Sequence, residues 1–197
     1  MNRASFLNQF LLSPQASALT QPHASKNLKN AAVLIALVER ENGLHVILTE
    51  RALHLRHHPG QVSFSGGKYE KVDNSLQQTA LRETQEEIGI NTKWVEVIGQ
   101  LAPLSTVSGF NVFPFIAFVD NRFILTVDAQ EVKSVFEVPL RFLLDPQNFY
   151  KQHLVANKKR HFTYCICYQN HLIWGATAQI LKNLQLGLNH NDPTTSI

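Results

Sequence analysis

The chain of 197 residues has little that would tie it to a membrane, an oxidising compartment or a nucleic acid. It holds two cysteines, Cys165 and Cys167, two positions apart in an apolar stretch. That is neither a disulfide framework nor a zinc spacing, and it suits a reducing cytoplasm. The longest unbroken apolar run, Ala31 to Val38, is far below the roughly 20 residues that cross a bilayer as a helix. The first residues, MNRASFLNQFLL, lack the long apolar core and small-residue cleavage site of a secretory signal. Net charge is +3, with a pI near 8.9. The densest basic cluster, Asn157-Lys158-Lys159-Arg160, reads as a solvated loop, so no nucleic-acid partner is expected. Charged residues make up 17% and hydrophobic residues 44%. A chain so composed can bury one good core, and it is not disordered throughout.

Repeats and low-complexity tracts are also missing. Residues 4–12 read as a short helix and 13–29, rich in Ser, Pro, Gln, Asn and Lys, as an arm. Segments 31–39 and 44–50 are apolar and β-rich, and Asn42-Gly43 between them is a hairpin signal. Arg51 to Gly67 has no period and reads as irregular. A helix follows from Asn74 to Ile88, then strands over 94–101, 111–119 and 131–138. Pro139 opens a short helix through Leu144. Two further strands, 161–168 and 171–174, flank Gln169-Asn170, and an amphipathic helix closes the domain over about 176–188. This order predicts a mixed α/β sandwich in place of a regular doubly wound sheet. It divides the chain into an N-terminal helix and arm (1–29), one domain (30–188) and a tail (189–197).

The helix over 74–88 carries the chemistry. Ser75 with Gln78 three residues later forms a capping box at its start, and Gly89 is the usual left-handed terminator. At helical period Leu76, Ala80, Leu81, Thr84 and Ile88 share the arc that faces the core. Arg82, Glu83, Glu86 and Glu87 fall on the neighbouring arc. Three carboxylates so placed repel by roughly 0.2–0.5 kcal/mol per pair on an exposed helix. A hard divalent cation, Mg²⁺ or Mn²⁺, would turn that repulsion into binding. A solvated acidic face with Arg82 as ion-pair partner is the plain alternative. The loop before the helix favours the cation: Gly66-Gly67 lets backbone groups approach a metal or phosphate without a Cβ in the way.

The stretch Gly67 to Ile90, and above all Arg82-Glu83-Thr84-Gln85-Glu86-Glu87-Ile88-Gly89-Ile90, resembles the Nudix box of metal-dependent hydrolases that act on diphosphates linking a nucleoside to another group. The first acidic position of the box is Asp73, one residue further from Arg82 than is commonest. Upstream, Leu48-Thr49-Glu50-Arg51-Ala52, Leu55-Arg56 and Pro59 to Gly67 resemble the signature of the coenzyme A diphosphatases, closest to bacterial members. So do Ser108-Gly109-Phe110, Glu131 to Leu140 and Ile173 to Ala178. The likeness covers roughly residues 30–188. One departure is Ser65, where that group usually has proline before the glycine pair.

The resemblance implies a Nudix fold, with mixed sheets flanked by helices around a catalytic loop-helix-loop. It also implies hydrolysis of coenzyme A, or a derivative, to 4′-phosphopantetheine and adenosine 3′,5′-bisphosphate. Glu83 and Glu87 become the first metal ligands and Glu86 the third, with a backbone carbonyl of the Gly66-Gly67 pair, Gly67 above all, completing the shell. Arg82 holds a carboxylate in place. The general base is a box glutamate such as Glu86, or Glu131 entering from a loop. Arg51, Arg56, His58 and Gly66 are the expected phosphate contacts. His54 and His58 are not expected to be metal ligands, because Pro59-Gly60 breaks any helix there. Trp174 and the two cysteines are expected in the core. The partner is a small molecule and the protein a monomer or homodimer. The other readings are turnover of ADP-ribose or NADH by the same chemistry, and a nucleotide-binding module without catalysis.

Overall fold

The computed structural model describes residues 1–13, 28–156 and 159–189, with the backbone alone for 154–161. In chain order the elements are α1 (Arg3–Leu12), β1 (Lys29–Arg40), β2 (Gly43–Arg51), β3 (Val62–Ser63), β4 (Ser65–Lys68), α2 (Leu76–Ile88), β5 (Val95–Gln100), β6 (Leu104–Ser105), β7 (Phe110–Val119), β8 (Val132–Pro139), α3 (Leu140–Leu144), β9 (Tyr150–Ala156), β10 (Lys159–Tyr168), β11 (His171–Trp174) and α4 (Ala176–Asn189).

The apolar run of β1 has no polar alternation because both its faces are covered. Ala31, Ile35 and Leu37 join one core, with Phe6 of α1, Leu140 and Leu143 of α3, Ile166, Ile173 and the apolar face of α4. Ala32, Leu34, Ala36 and Val38 join the other, with Ala80 and Ile88 of α2, Ile90, Phe115 and Ala117. Along one edge β1 runs parallel to β7 from Lys29↔Phe110 to Val38↔Val119. Along the other it is shared. Its first half pairs with β4, Ala31↔Lys68 to Leu34↔Ser65, and its second half with β2, Leu37↔Val46 to Arg40↔Gly43. β8 and β3 extend the sheet beyond β2, and β5 and β6 pair with β7. A second sheet, β11-β10-β9, is antiparallel throughout.

This is the mixed α/β sandwich expected, with differences in detail, among them the unexpected two-residue strand β6. The stretch 51–67 contains β3 and the start of β4, too short for any period to show. Strand β9 was not expected at all, and it is held by pairing with β10 from Cys165↔Tyr150 onward. Trp174 is 36% exposed instead of buried, because β11 ends there and Gly175 turns the chain at φ 68°. Cys165 is buried but Cys167 is exposed, next to the turn that joins β10 to β11. The N-terminal apolar residues divide in the same way. Phe6 is fully buried and stacks with Phe10, whereas Leu11 and Leu12 are exposed. Lys158 and its neighbour Asn157 lie outside the described residues, as do Thr195, Ser196 and Ile197.

Candidate active site

Helix α2 starts where its caps demand. Ser75 Oγ accepts from the Gln78 N–H at 3.1 Å, and the Gln78 side chain accepts from the Asn74 N–H at 2.8 Å. It ends at Gly89, left-handed at φ 75°. The face turned to the sheet is not the purely apolar arc expected. Thr79, Ala80, Thr84, Glu87 and Ile88 are buried, while Leu76 and Leu81 are partly covered. Thr84 Oγ1 satisfies itself on the Ala80 carbonyl at 2.7 Å. Glu87 is thereby carried inward, 4% exposed.

The four charged residues of the helix separate into two settings. On one side Arg82 grips Asp73 with both arms of its fork, Nε to Oδ1 at 2.9 Å and Nη2 to Oδ2 at 3.1 Å. Its Nη1 donates to Glu86 at 2.8 Å, and Nη2 lies 3.0 Å from Glu83. Asp73 also accepts from the Thr79 hydroxyl and the Glu70 N–H. The Arg82 guanidinium, first among these partners, holds the Asp73 carboxyl far below the usual carboxylate range, and Asp73 in turn raises Arg82. Glu86 points outward, its side chain 59% exposed.

On the other side stand Glu83 and Glu87. A Cβ on Gly67 would collide with the Glu83 carboxylate, and one on Gly66 would strike the Ala32 carbonyl. Glycine at both positions is what lets β4 lie under α2 and against β1. The Gly66 N–H donates to Glu87 Oε2 at 3.3 Å. Burial pushes Glu87 up to about 8; the Ser65 hydroxyl and Arg51 oppose that rise, and Glu83 and Glu131 add to it. Burial also raises Glu83, with Arg82 opposing and Glu86 and Glu131 adding. The Ser65 Oγ is itself buried and without a hydrogen-bond partner among the described residues. It lies near Glu87 but outside hydrogen-bond geometry.

Glu131 comes to this pair from the loop before β8. Its N–H donates to the Asp128 carbonyl at 3.0 Å and its carbonyl accepts from Ala52 at 2.9 Å, while the Asp128 N–H caps Glu87 O at 2.9 Å. The loop is thus fastened to the end of α2, and the exposed Glu131 side chain adds its charge to Glu83 and Glu87. Among the described residues no three acidic, histidine or cysteine side chains are drawn together tightly enough to hold an ion by themselves. A buried and a partly buried carboxylate, both of raised proton affinity and beside a bare glycine backbone, nevertheless fit a hard divalent cation, which prefers oxygen donors and would neutralise both.

Beyond the glycine pair lies a cavity of about 400 Å³. Arg51, His58, Gly66 and Gly67 all line it, and Arg56 does not. Lys68, Gln61 and Trp174 line it too; Gln61 and Trp174 lie in stretches that carry the family resemblance, but none of the three was expected in the site. Lys68 directly follows the glycine pair, and Trp174 stands at a strand end before a glycine; those were the available signals. No carboxylate is among the described lining residues, so the cavity is lined by cationic and apolar side chains. Glu83 and Glu87 stand behind the glycines.

A model of the NUDIX domain matches residues 28–156. A protein of Salmonella paratyphi B named "Uncharacterized Nudix hydrolase NudL" is 40% identical over 183 residues, 92% of each chain, and one of Salmonella newport with that name matches equally. Among solved structures, DR0079 from Deinococcus radiodurans is similar with a TM-score of 0.53 at 12% identity, over 84% of this chain and 88% of that one. At that identity the likeness concerns the fold alone. With a family model over most of its length and relatives at 40% identity over 92% of it, this chain belongs to the Nudix hydrolase family.

Proposed function

We propose that the protein hydrolyses the diphosphate bridge of coenzyme A or a close derivative, with Mg²⁺ or Mn²⁺, to 4′-phosphopantetheine and adenosine 3′,5′-bisphosphate. The observation that carries this reading is convergence. Arg51, His58, Gln61, Gly66 and Gly67 come from the stretch that resembles the coenzyme A signature, and they line one cationic cavity that ends at the glycine pair. Glu83 and Glu87 would hold the ion, with a carbonyl of Gly66 or Gly67. When bound, it neutralises the diphosphate and makes a water nucleophilic at neutral pH.

The protein's own residues do the rest. Arg51 and Lys68 hold phosphate oxygens, Arg51 by its planar fork and Lys68 as a point charge. Arg82 does not reach the cavity. It fixes the helix face by clamping Asp73, Glu83 and Glu86 together, so that Glu83 keeps one orientation. Glu131, fastened by its backbone at the end of α2, accepts the proton of the attacking water. One phosphorus–oxygen bond of the bridge breaks as the water oxygen joins the phosphorus, and the leaving half departs as a phosphomonoester.

The test is a product assay with purified protein, coenzyme A and either cation, beside a chelated control. Chelator-sensitive formation of both products is the expected result. Turnover confined to ADP-ribose or NADH would keep the Nudix chemistry and discard the substrate. No turnover of any diphosphate would leave a binding module.

A further inference from the structure

The apolar and aromatic lining of the cavity is not used by the hydrolysis itself, yet its backbone is well fixed. Trp174 is 36% exposed on a fixed base. It pairs with Cys165 across the second sheet, Ile173 before it is fully buried, and the Gly175 N–H after it donates to Thr163 Oγ1 at 3.1 Å. Phe110, at the start of β7, shares the cavity, and its N–H donates to Thr106 Oγ1 at 3.1 Å. Beside them the Gln61 side-chain amide makes no hydrogen bond to the described residues and stands 3.4 Å from the position a Cβ on Gly175 would take. An indole on a fixed strand end, next to an amide that makes no hydrogen bond to the described residues, suits a flat π-system with a polar edge.

Resting on the coenzyme A reading, we infer that Trp174, with Phe110, is the stacking wall for the adenine of the substrate, and that Gln61 meets the base edge. The two halves of the substrate differ in charge and shape. The nucleotide half carries phosphates on both sides of its ribose, which matches the cations Arg51 and Lys68 and the ring N–H of His58, in a cavity with no carboxylate among its described lining residues. The pantetheine half is flexible and aliphatic and brings one phosphate. It would neutralise fewer of those cations and lose more rotamer freedom on an open aromatic face.

The protein contains two tryptophans. Trp94 sits against Lys93 and Arg122 and does not line the cavity, so Trp94→Phe leaves Trp174 as the sole indole reporter. In chelator, where no turnover occurs, adenosine 3′,5′-bisphosphate is expected to quench that fluorescence and 4′-phosphopantetheine to leave it unchanged. Trp174→Leu is expected to weaken nucleotide binding in a calorimeter by roughly ten- to a hundredfold without changing cation affinity. Trp174→Phe keeps a ring, so it guards against a loss that is merely structural and should retain most of the affinity. Quenching by 4′-phosphopantetheine with none by the nucleotide would overturn the inference. So would silence with both, or equal nucleotide affinity in Trp174→Leu and the parent. If coenzyme A is not hydrolysed but the nucleotide still quenches Trp174, the substrate reading falls and the wall stands. If coenzyme A is hydrolysed with an unchanged KM in Trp174→Leu, the wall falls and the substrate reading stands.

Discussion

Asp73 and Glu87 are buried almost equally, at 3% and 4% exposure, and they titrate in opposite directions. Asp73 has a bidentate arginine, a threonine hydroxyl and a backbone N–H, and its carboxyl is held far below the normal range. Glu87 has one long backbone bond and two like charges nearby, and it rises to about 8. Burial alone therefore does not decide what a carboxylate is for. The saturated one fastens the loop before α2 to the helix, and the unsaturated one is left for a ligand that brings positive charge.

The sharpest break of that contrast is Glu87→Gln. Turnover with Mg²⁺ or Mn²⁺ should fall by more than the roughly 10- to 100-fold that losing an outer-shell partner of a metal costs, and Glu83→Gln should do the same. Stability in chelator should move the other way. Glu87 has a folded pKa raised from 4.5 to about 8, so its contribution to stability is full below about 4.5 and is lost as pH rises through about 8. The metal-free protein should thus soften between those values, and Glu87→Gln should melt several degrees higher than the parent at pH 8. Thermal melts across pH in chelator, set beside kcat, check both halves. A Gln variant that is inactive and also less stable would mean that Glu87 is a structural residue like Asp73.

Asp73→Asn tests the other member of the pair. Removing one partner of a buried, hydrogen-bonded ion pair costs about 3 kcal/mol, and that lowers Tm by about 6–12 °C in a chain of this size. The loss should be independent of cation. Because the folded pKa of Asp73 is lowered, its contribution is present above the unfolded value of 3.8 and is lost as pH falls below it. The acid limb of the parent's stability curve should therefore flatten in Asp73→Asn. In Glu87→Gln it is the alkaline limb that flattens.

How much of this was legible in sequence follows from the range of each interaction. The bounds of α2 were readable because Ser75, Gln78 and Gly89 act within one turn of their own positions. The β1–β2 hairpin was readable for the same reason, from Asn42-Gly43. Strands β3 and β4 were not, since Val62–Ser63 and Ser65–Lys68 are too short to show a period and exist through β2 and β1. The burial of Glu87 was invisible to a helical wheel that counts acids as outward. It depends on a glycine pair in another element approaching the helix. Trp174 looked like core because its exposure is set by where β11 stops, a property of the second sheet.

Ser65 offers the smallest effect and the finest resolution of the comparison, since its hydroxyl lies near Glu87 without bonding it. Ser65→Ala removes a buried oxygen that has no hydrogen-bond partner among the described residues, which should stabilise the metal-free protein by about 1 kcal/mol and raise Tm by roughly 2–4 °C. The same change removes the hydroxyl dipole beside the carboxylate, which together with Arg51 opposes the rise of Glu87. The alkaline softening of the metal-free protein should accordingly begin at the same pH and extend to higher pH, while the acid limb, which belongs to Asp73, stays where it was. Melts of Ser65→Ala and the parent in chelator across the same pH series measure both. A lower Tm with no shift of the alkaline limb would mean that the hydroxyl is bonded in solution and that Glu87 is insulated from it. A higher Tm with the shift would show that the raised proton affinity of Glu87 is set locally, by the few groups that β4 brings beneath the helix.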